Sequence, residues 1–597
     1  MTRFVGWAKT TITNDNARML LTEIIQQSPG YDAQNTALEC HHNYALAVGK
    51  KCLGQEQDCL LVNVGAQDKN KTIQHYRKKG VAFLQEIPAS QSFVLIDGKQ
   101  NTVILVTDGI GKTNIYYAQT PSGLVFASSA DEVIAHPEVK ADISPQTVYD
   151  YVYFHHCPSP NTIYTQVKKL ENAQALIYQN GKITLQYYWQ PQFKEKLHGT
   201  IEEAGKQLQA LLVESVRQRV DNAKDSGAFL SGGLDSSSVA GALSKVYPGQ
   251  AKTFSMGFPV DGYDEIEYAR TAVKHFNTTQ HEYYLTPEDT VKAIPAIATY
   301  YDEPFGNSSA LAAYYCAKMA KDKGINVLLA GDGGDELFAG NERYAKQLLF
   351  DYYFKAPKPL RSGLEALLQS LPASLADKGV FFKAKRYIEQ AKEPMPDRLQ
   401  DYNFLHRHDI TEIFQADFLQ QIDGQEPLSL LRQSYQRPEN ASILNRMLYM
   451  DWKTTLHDND LVKVNRMCEM AGVDVRYPLL DQSIVEFSTQ IPSSIKLKGQ
   501  KLRWFYKQAF KDFLPEKIIN KSKHGFGLPF GIWLKDYQPL KELAYDSINS
   551  LKKRPYFKDE FLEHAIKMHQ SVHAAYYGEL IWILMMLELW FQGKKID

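Results

Sequence analysis

The sequence predicts an α/β protein in two parts: a sheet-dominated first part, 1–195, and a parallel sheet with helices on its faces, 200–597. Three observations predict it. Up to about residue 190 the chain is rich in short β-type runs: Cys59-Leu-Leu-Val-Asn-Val, Phe93-Val-Leu-Ile-Asp, Val103-Ile-Leu-Val-Thr and Leu124-Val-Phe-Ala. Each is followed within a few residues by Gly, Asp or Ser turn chemistry. From about 200, helical patterns alternate with buried-strand patterns, the signature of βαβ units. Finally, residues 231–238, Ser-Gly-Gly-Leu-Asp-Ser-Ser-Ser, follow an apolar approach ending in Phe229 and Leu230. That puts a polar turn at the carboxyl end of a strand, where open α/β sheets bind ligands.

The elements of the second part follow in order. A helix is expected from Ile201 to about Val220, then the strand before Ser231, a helix from Ser236 and the strand Thr253-Phe-Ser-Met-Gly-Phe. A helix around Ile266 to His275 precedes the strand Ile325-Asn-Val-Leu-Leu-Ala-Gly. Residues 345–440 carry helical stretches rich in Lys and Arg, with prolines at 357, 359, 372, 394 and 396, and read as a helical insertion or lid. The apolar run Leu580 to Leu587, bounded by Glu579 and Glu588, is shorter than the ~20 residues of a membrane span and reads as a buried terminal helix.

Lys plus Arg number 67 against 68 Asp plus Glu, a net charge of -1, which speaks against a nucleic-acid or membrane partner. The six cysteines form no CxxC pair, and no apolar signal segment follows Met1, so a reducing, cytoplasmic setting is expected. Cys40-His41-His42 lacks the further ligands that a zinc site needs.

The chemistry lies in the loops. Gly232 and Gly233 let backbone N–H groups approach phosphate oxygens, hydroxyls at Ser231, Ser236 and Ser237 add donors, and Asp235 is placed to hold magnesium on those phosphates. A capping turn needs one Ser or Asp, and a Walker A loop needs a lysine that this turn lacks. Downstream, Gly331-Asp-Gly-Gly-Asp-Glu-Leu-Phe-Ala-Gly sets Asp332, Asp335 and Glu336 in a glycine-rich turn without the spacing of a calcium loop. Carboxylates so close repel unless a cation lies between them, and a magnesium polyphosphate would supply one. Lys463, Arg466 and Arg476 read by default as solvated helix charges, whereas Lys521-Ser-Lys-His-Gly-Phe-Gly-Leu-Pro is a basic turn able to reach into a cleft.

Taken in order, the Ser231 and Gly331 loops resemble the synthetase half of asparagine synthetase B. So do Thr253-Phe-Ser-Met-Gly-Phe, Tyr263-Asp-Glu, Leu461-Val-Lys-Val-Asn-Arg, Asp474-Val-Arg-Tyr-Pro-Leu-Leu-Asp and Lys523-His-Gly-Phe-Gly-Leu-Pro. The resemblance implies an ATP-pyrophosphatase fold that adenylates a carboxylate with ATP and Mg2+ and lets an amine displace AMP. By the same resemblance Asp235 and Asp335 match the metal-pyrophosphate acids, and Met256 and Gly331 match positions lining the adenine pocket. Lys523 matches the lysine that stabilises charge in the transition states. Asp332 stands where many members have Glu, and Asn465 where they have Asp.

Thr107-Asp-Gly-Ile-Gly-Lys-Thr-Asn-Ile-Tyr-Tyr more weakly resembles a segment of the family's N-terminal amidohydrolase (Ntn) sandwich domain. Glutamine-hydrolysing members carry a nucleophilic cysteine where this chain has Thr2, then glycine where it has Arg3. Their Asn-Gly-Glu clamp is best matched by Val64-Gly-Ala, and their arginine by Thr107. Thr2 is chemically able to serve as an N-terminal nucleophile, but its surroundings are not those of a glutaminase. An intact synthetase beside a degenerate amidohydrolase domain resembles lasso peptide cyclases, which join a side-chain carboxylate of a precursor peptide to its own N-terminal amine. That implies a precursor peptide and its processing protease as partners. β-Lactam synthetases share the logic but carry Tyr at the position of Asp332 and lack the long helical segment. The alternatives are an asparagine synthetase using ammonia or glutamine with aspartate, and a non-catalytic binding or regulatory relic.

Overall fold

The computed structural model of the protein describes residues 2–596 except 10, 11, 13, 33, 57, 65–67, 371–378, 523–526 and 572–573. Two six-stranded antiparallel sheets make up the first part. One runs Lys168–Lys169, Tyr116–Gln119, Leu124–Ala127, Phe4–Ala8, Tyr44–Gly49, Thr36–His41. The other runs Lys182–Tyr187, Gln174–Gln179, Thr102–Val106, Phe93–Asp97, Cys59–Asn63, Leu53–Glu56. The two-residue period of a strand explains why both faces are buried. Val94 and Ile96 join Phe4, Leu46 and Phe126 in the core between the sheets, while Phe93 and Leu95 face outward onto Ile73 and Tyr76 of the helix Lys69–Lys79. On the other side Val5 and Trp7 pack with Leu21 and Ile24 of the helix Asn14–Gln27.

The second part is built on a five-stranded sheet in the order Thr279–Tyr284, Lys252–Gly257, Ser226–Phe229, Val327–Leu329, Asp474–Arg476, with every neighbour parallel. The chain leaves the central strand Ser226–Phe229 in one direction, then returns to lay Val327–Leu329 on its other side. Right-handed crossovers therefore place the early helices, Leu234–Val246 and Ile266–Phe276, on one face and Ala310–Asp322 on the other. The reversal opens a crevice between the carboxyl ends of Ser226–Phe229 and Val327–Leu329, which is where the two glycine-rich loops emerge.

The expected elements are present with shifted ends. The first helix of this part, Ile201–Arg217, is closed at its start by a Thr200–Glu203 capping box, and the helix expected from Ser236 begins at Leu234 because Gly233 is its N-cap. Helices Glu342–Lys355, Lys358–Ser370, Gly379–Lys392 and Glu426–Gln436 fill the stretch read as helical, and Phe350, Tyr353, Ile388 and Ala391 form a small core of their own there. The helix Ala574–Gly593 buries Leu580 to Leu587, with Glu588 held by Arg554 at 2.5 Å. Among the described residues no helix is long and apolar enough to cross a membrane.

Candidate active site

Both loops owe their shape to glycine. Gly232 adopts φ +74, and a Cβ there would lie 2.5 Å from Ala269 N. Ser231 Oγ meets Ser236 Oγ at 3.0 Å, Ser231 N donates to Ser236 Oγ at 3.2 Å, and Gly233 N reaches Ser231 Oγ at 3.4 Å, so the turn is tied before any ligand arrives. Gly233 caps the helix Leu234–Val246 without a side-chain acceptor, which leaves the positive helix end facing the crevice. Ser237 Oγ is buried with no hydrogen-bond partner. From the neighbouring strand, Gly331 crosses so close that a Cβ on it would lie 2.8 Å from Ser236 N, and a Cβ on Gly334 would lie 1.9 Å from Asp235 Oδ1. Ser231, Gly233, Asp235, Ser236, Met256, Gly331, Asp332 and Asp335 all line one cleft of about 1030 Å³. That is room for a nucleotide and an acceptor together.

The cation between the acids is Arg503. Its Nη1 donates to Asp235 Oδ2 at 2.5 Å and to Asp335 Oδ1 at 2.9 Å, and its Nη2 donates to Asp235 Oδ1. The guanidinium is 4 % exposed and stacks 4.2 Å over the Tyr506 ring. Burial works against its charge, but Asp235 and Asp335 hold its pKa above the ordinary arginine value. The sequence reading assigned this neutralising task to magnesium alone and missed Arg503, which carries no local motif and lies 268 residues from Asp235. The only available signal was the requirement itself, that neighbouring carboxylates need a positive partner. Two carboxylates that share one guanidinium nitrogen are close enough to share one divalent ion through hard oxygen donors, so they fit Mg2+.

Lys463 and Arg466, read by default as solvated, are tucked into the structure and paired. Lys463 Nζ donates to Asp460 Oδ1 at 2.7 Å beside Asp332. Arg466 pairs with Asp302 and, at 3.0 Å, with Glu469. The surrounding helix Leu461–Met470 also buries Leu461, Val464, Met467 and Cys468, so little of its circumference meets water. Arg476 remains partly exposed, 3.0 Å from Asp474. Burial raises the Asp332 carboxyl to about 7, although Lys463 draws it down, and burial together with Asp335 lifts Glu336 well above the carboxylate range. Phe229, Leu230, Phe254 and Met256 form the apolar end of the cleft. Lys523 lies outside the described residues. Its neighbour Lys521 pairs with Glu265 at 2.9 Å.

In the first part, Thr2 Oγ1 lies 3.5 Å from Cys52 Sγ, and Arg3 turns its guanidinium to Glu469, with its Nη1 3.5 Å from Glu132. Thr107 Oγ1 donates to the carbonyls of Glu171 and Gln174 at 2.5 and 3.1 Å, while Asp108 accepts the backbone N–H groups of Ile110, Gly111 and Lys112. The Gly65 and Ala66 of the expected clamp lie outside the described residues.

The sequence profile of the family described as asparagine synthase matches residues 207–592, well over half of the chain. The chain belongs to the asparagine synthase family. Its first part matches the profile described as a glutamine amidotransferase domain over residues 64–189. It is similar to glutamine-hydrolysing asparagine synthetase 1 of Bacillus subtilis (strain 168), 24 % identical over 521 residues that cover 87 % of this chain and 79 % of that protein. A putative glutamine-hydrolysing asparagine synthetase 2 of Methanocaldococcus jannaschii is 34 % identical over 305 residues, 49 % of this chain and 58 % of that one. Among solved structures, the allosteric regulatory enzyme of purine biosynthesis aligns at 8 % identity with a TM-score of 0.21, covering 55 % of this chain and 80 % of that one, too distant to bear on the site. As a member of the asparagine synthase family the protein is an ATP-dependent carbon–nitrogen ligase that forms amide bonds.

Proposed function

We propose that this synthetase adenylates a side-chain carboxylate of a precursor peptide and closes a macrolactam with the peptide's own amine, without hydrolysing glutamine. The observation that carries this reading is the use already made of the amidohydrolase positions: Arg3 is committed to Glu469, and Thr107 to backbone carbonyls. A free glutamine needs charged partners for its carboxylate and amine. With those positions engaged, the attacking amine has to come from the substrate or from solution. ATP would place its base at the Phe254–Met256 end and its phosphates on the loop of Ser231, Gly232, Gly233 and Ser236. Asp235 and Asp335 would hold Mg2+, which when bound would supply charge neutralisation for the pyrophosphate. Arg503 is then free to meet phosphate oxygens. Asp332, with its raised carboxyl, is suited to take the proton that the amine nitrogen sheds as it bonds to the acyl carbon near pH 7. Lys523, by the family pattern, would supply the fixed cation beside the oxygen that gains charge.

The length of the match to the Bacillus subtilis relative favours a second reading, an asparagine synthetase that takes aspartate with ammonia or glutamine. ATP–pyrophosphate exchange on the purified protein separates the two. Stimulation by a peptide bearing an Asp or Glu side chain and a free N-terminus, and not by aspartate, is the expected outcome. Stimulation by aspartate with formation of asparagine would replace the first reading by the second. AMP formation that is abolished by Asp235→Ala would eliminate the reading of a non-catalytic relic.

A further inference from the structure

The π-helix Trp452–Asp460 runs directly into the helix Leu461–Met470, and together they form one rod between the cleft and the first part of the chain. Counting from the N-cap Asp460 of the α-helix, the side chains of Asp460, Lys463 and Val464 share one side, whereas Asn465, Arg466 and Glu469 share the opposite side. The former three line the cleft. The latter three hold the first part. Asn465 Nδ2 donates to Lys112 O at 3.0 Å, and the Glu469 carboxylate accepts Arg3 Nε and Nη2 at 2.8 Å each. Arg466 Nη1 donates to the same carboxylate at 3.0 Å while the other arm pairs with Asp302, which itself accepts Ala130 N at 3.1 Å.

The π-helical stretch is held in the same manner. His457 Nδ1 meets Gly111 O at 2.7 Å, and Asp458 Oδ2 accepts Ser159 N and Oγ at 3.0 and 2.9 Å. Gly111 has φ +78, and a Cβ there would lie 2.3 Å from His457 Nδ1, so the approach requires glycine. Arg3, Asp302, His457, Asp458, Asn465 and Arg466 are all buried. Burying such a set adds little stability over apolar packing of the same volume, but directional bonds to named partners fit at one position of the rod and oppose sliding or rotation.

We infer that the first part of the chain works as a clamp on the synthetase cleft, with Arg3 a positioning residue that fixes, through Glu469 and Arg466, where the rod presents Lys463 and Asp460 beside Asp332. The glutamine-hydrolysing pattern has glycine where Arg3 stands, so the replacement that spoils a glutamine pocket is the one that makes the clamp. The inference rests on the cleft being the amide-forming site and holds for any acceptor.

Competitive acetylation with acetic anhydride, read peptide by peptide in a mass spectrometer, tests it without a known acceptor. Lys463, held by Asp460, reports the rod, and Lys521, which lines the same cleft on another segment and is held by Glu265, is the internal reference. In Arg3→Met the Lys463:Lys521 acetylation ratio is expected to rise about fivefold as the ion pair loosens, and in Arg3→Lys, which keeps the charge but loses the two-armed grip on Glu469, to rise by less, about two- to threefold. Affinity for MgATP should stay within about twofold in both, because the phosphate loop is on another element. An unchanged ratio in folded Arg3→Met overturns the inference. Should that variant not fold, Ser159→Ala, which removes one bond to Asp458, is expected to raise the ratio about twofold, and no change there overturns it equally.

Discussion

Arg503 and Asp332 are the residues whose chemistry is most exposed to test. Replacing Arg503 by Met takes away the charge that lies between Asp235 and Asp335, at a cost of about 2–3 kcal/mol, because the two acids keep some contact with water. Thermal melts in EDTA should show that loss, and added MgCl2 should raise the melting point of Arg503→Met more than that of the parent, by linkage to a site the guanidinium no longer contests. Equal responses to Mg2+ would refute competition for the two carboxylates. Asp332 titrates at about 7 in the folded protein, raised chiefly by burial, and near 3.9 in an unfolded chain. As pH rises from about 4 to 7 the unfolded chain therefore sheds this proton while the folded one retains it, and stability falls across that window. Asp332→Asn should gain on the parent by about 1–2 kcal/mol between those limits, read from melts at stepped pH. A constant offset would contradict the assignment. Asp332 and Asp335 were legible in the sequence because their chemistry is written in adjacent glycines; Arg503, in the plain stretch Lys501-Leu-Arg-Trp, was not.

The strand-end loops are the elements in which sequence and geometry agree best. Each is a local object, a strand, a glycine turn and a helix start, and a local pattern is enough to specify it. What the pattern could not give is how closely the two loops approach. Gly331→Ala puts a methyl carbon 2.8 Å from Ser236 N, and one loop must move. ATP affinity should fall by about tenfold or more while the circular dichroism and the melting point stay near those of the parent, since the displaced atoms lie at the crevice and not in the core. Unchanged nucleotide binding would mean that the loops do not grip phosphate jointly. The rod Trp452–Met470 is the opposite case. Its charges suggest a wet face by the usual reading of a helix, and only the tertiary partners Arg3, Asp302 and Ser159 reveal a buried one.

At the scale of the molecule, the antiparallel and parallel parts were both visible in the change of texture near residue 200, because strand and helix periods are local properties. The joint between them was invisible, since ion pairs between distant residues leave no period. If the N-terminal positions are spent on that joint, purified protein incubated with glutamine should release no glutamate above background, with or without ATP. Appreciable release would return the chain to the glutamine-dependent members of its family. The Arg3–Glu469 pair also puts a clock on synthesis. Its two partners are made 466 residues apart. At ~5–20 residues per second this is roughly 25 seconds to a minute and a half in which the Arg3 guanidinium can find Glu132, its partner at 3.5 Å within the first part, but not the carboxylate that takes two of its bonds. Slow codons just before Glu469 would therefore lengthen the time that the first part spends without its joint, hundreds of residues from where they act.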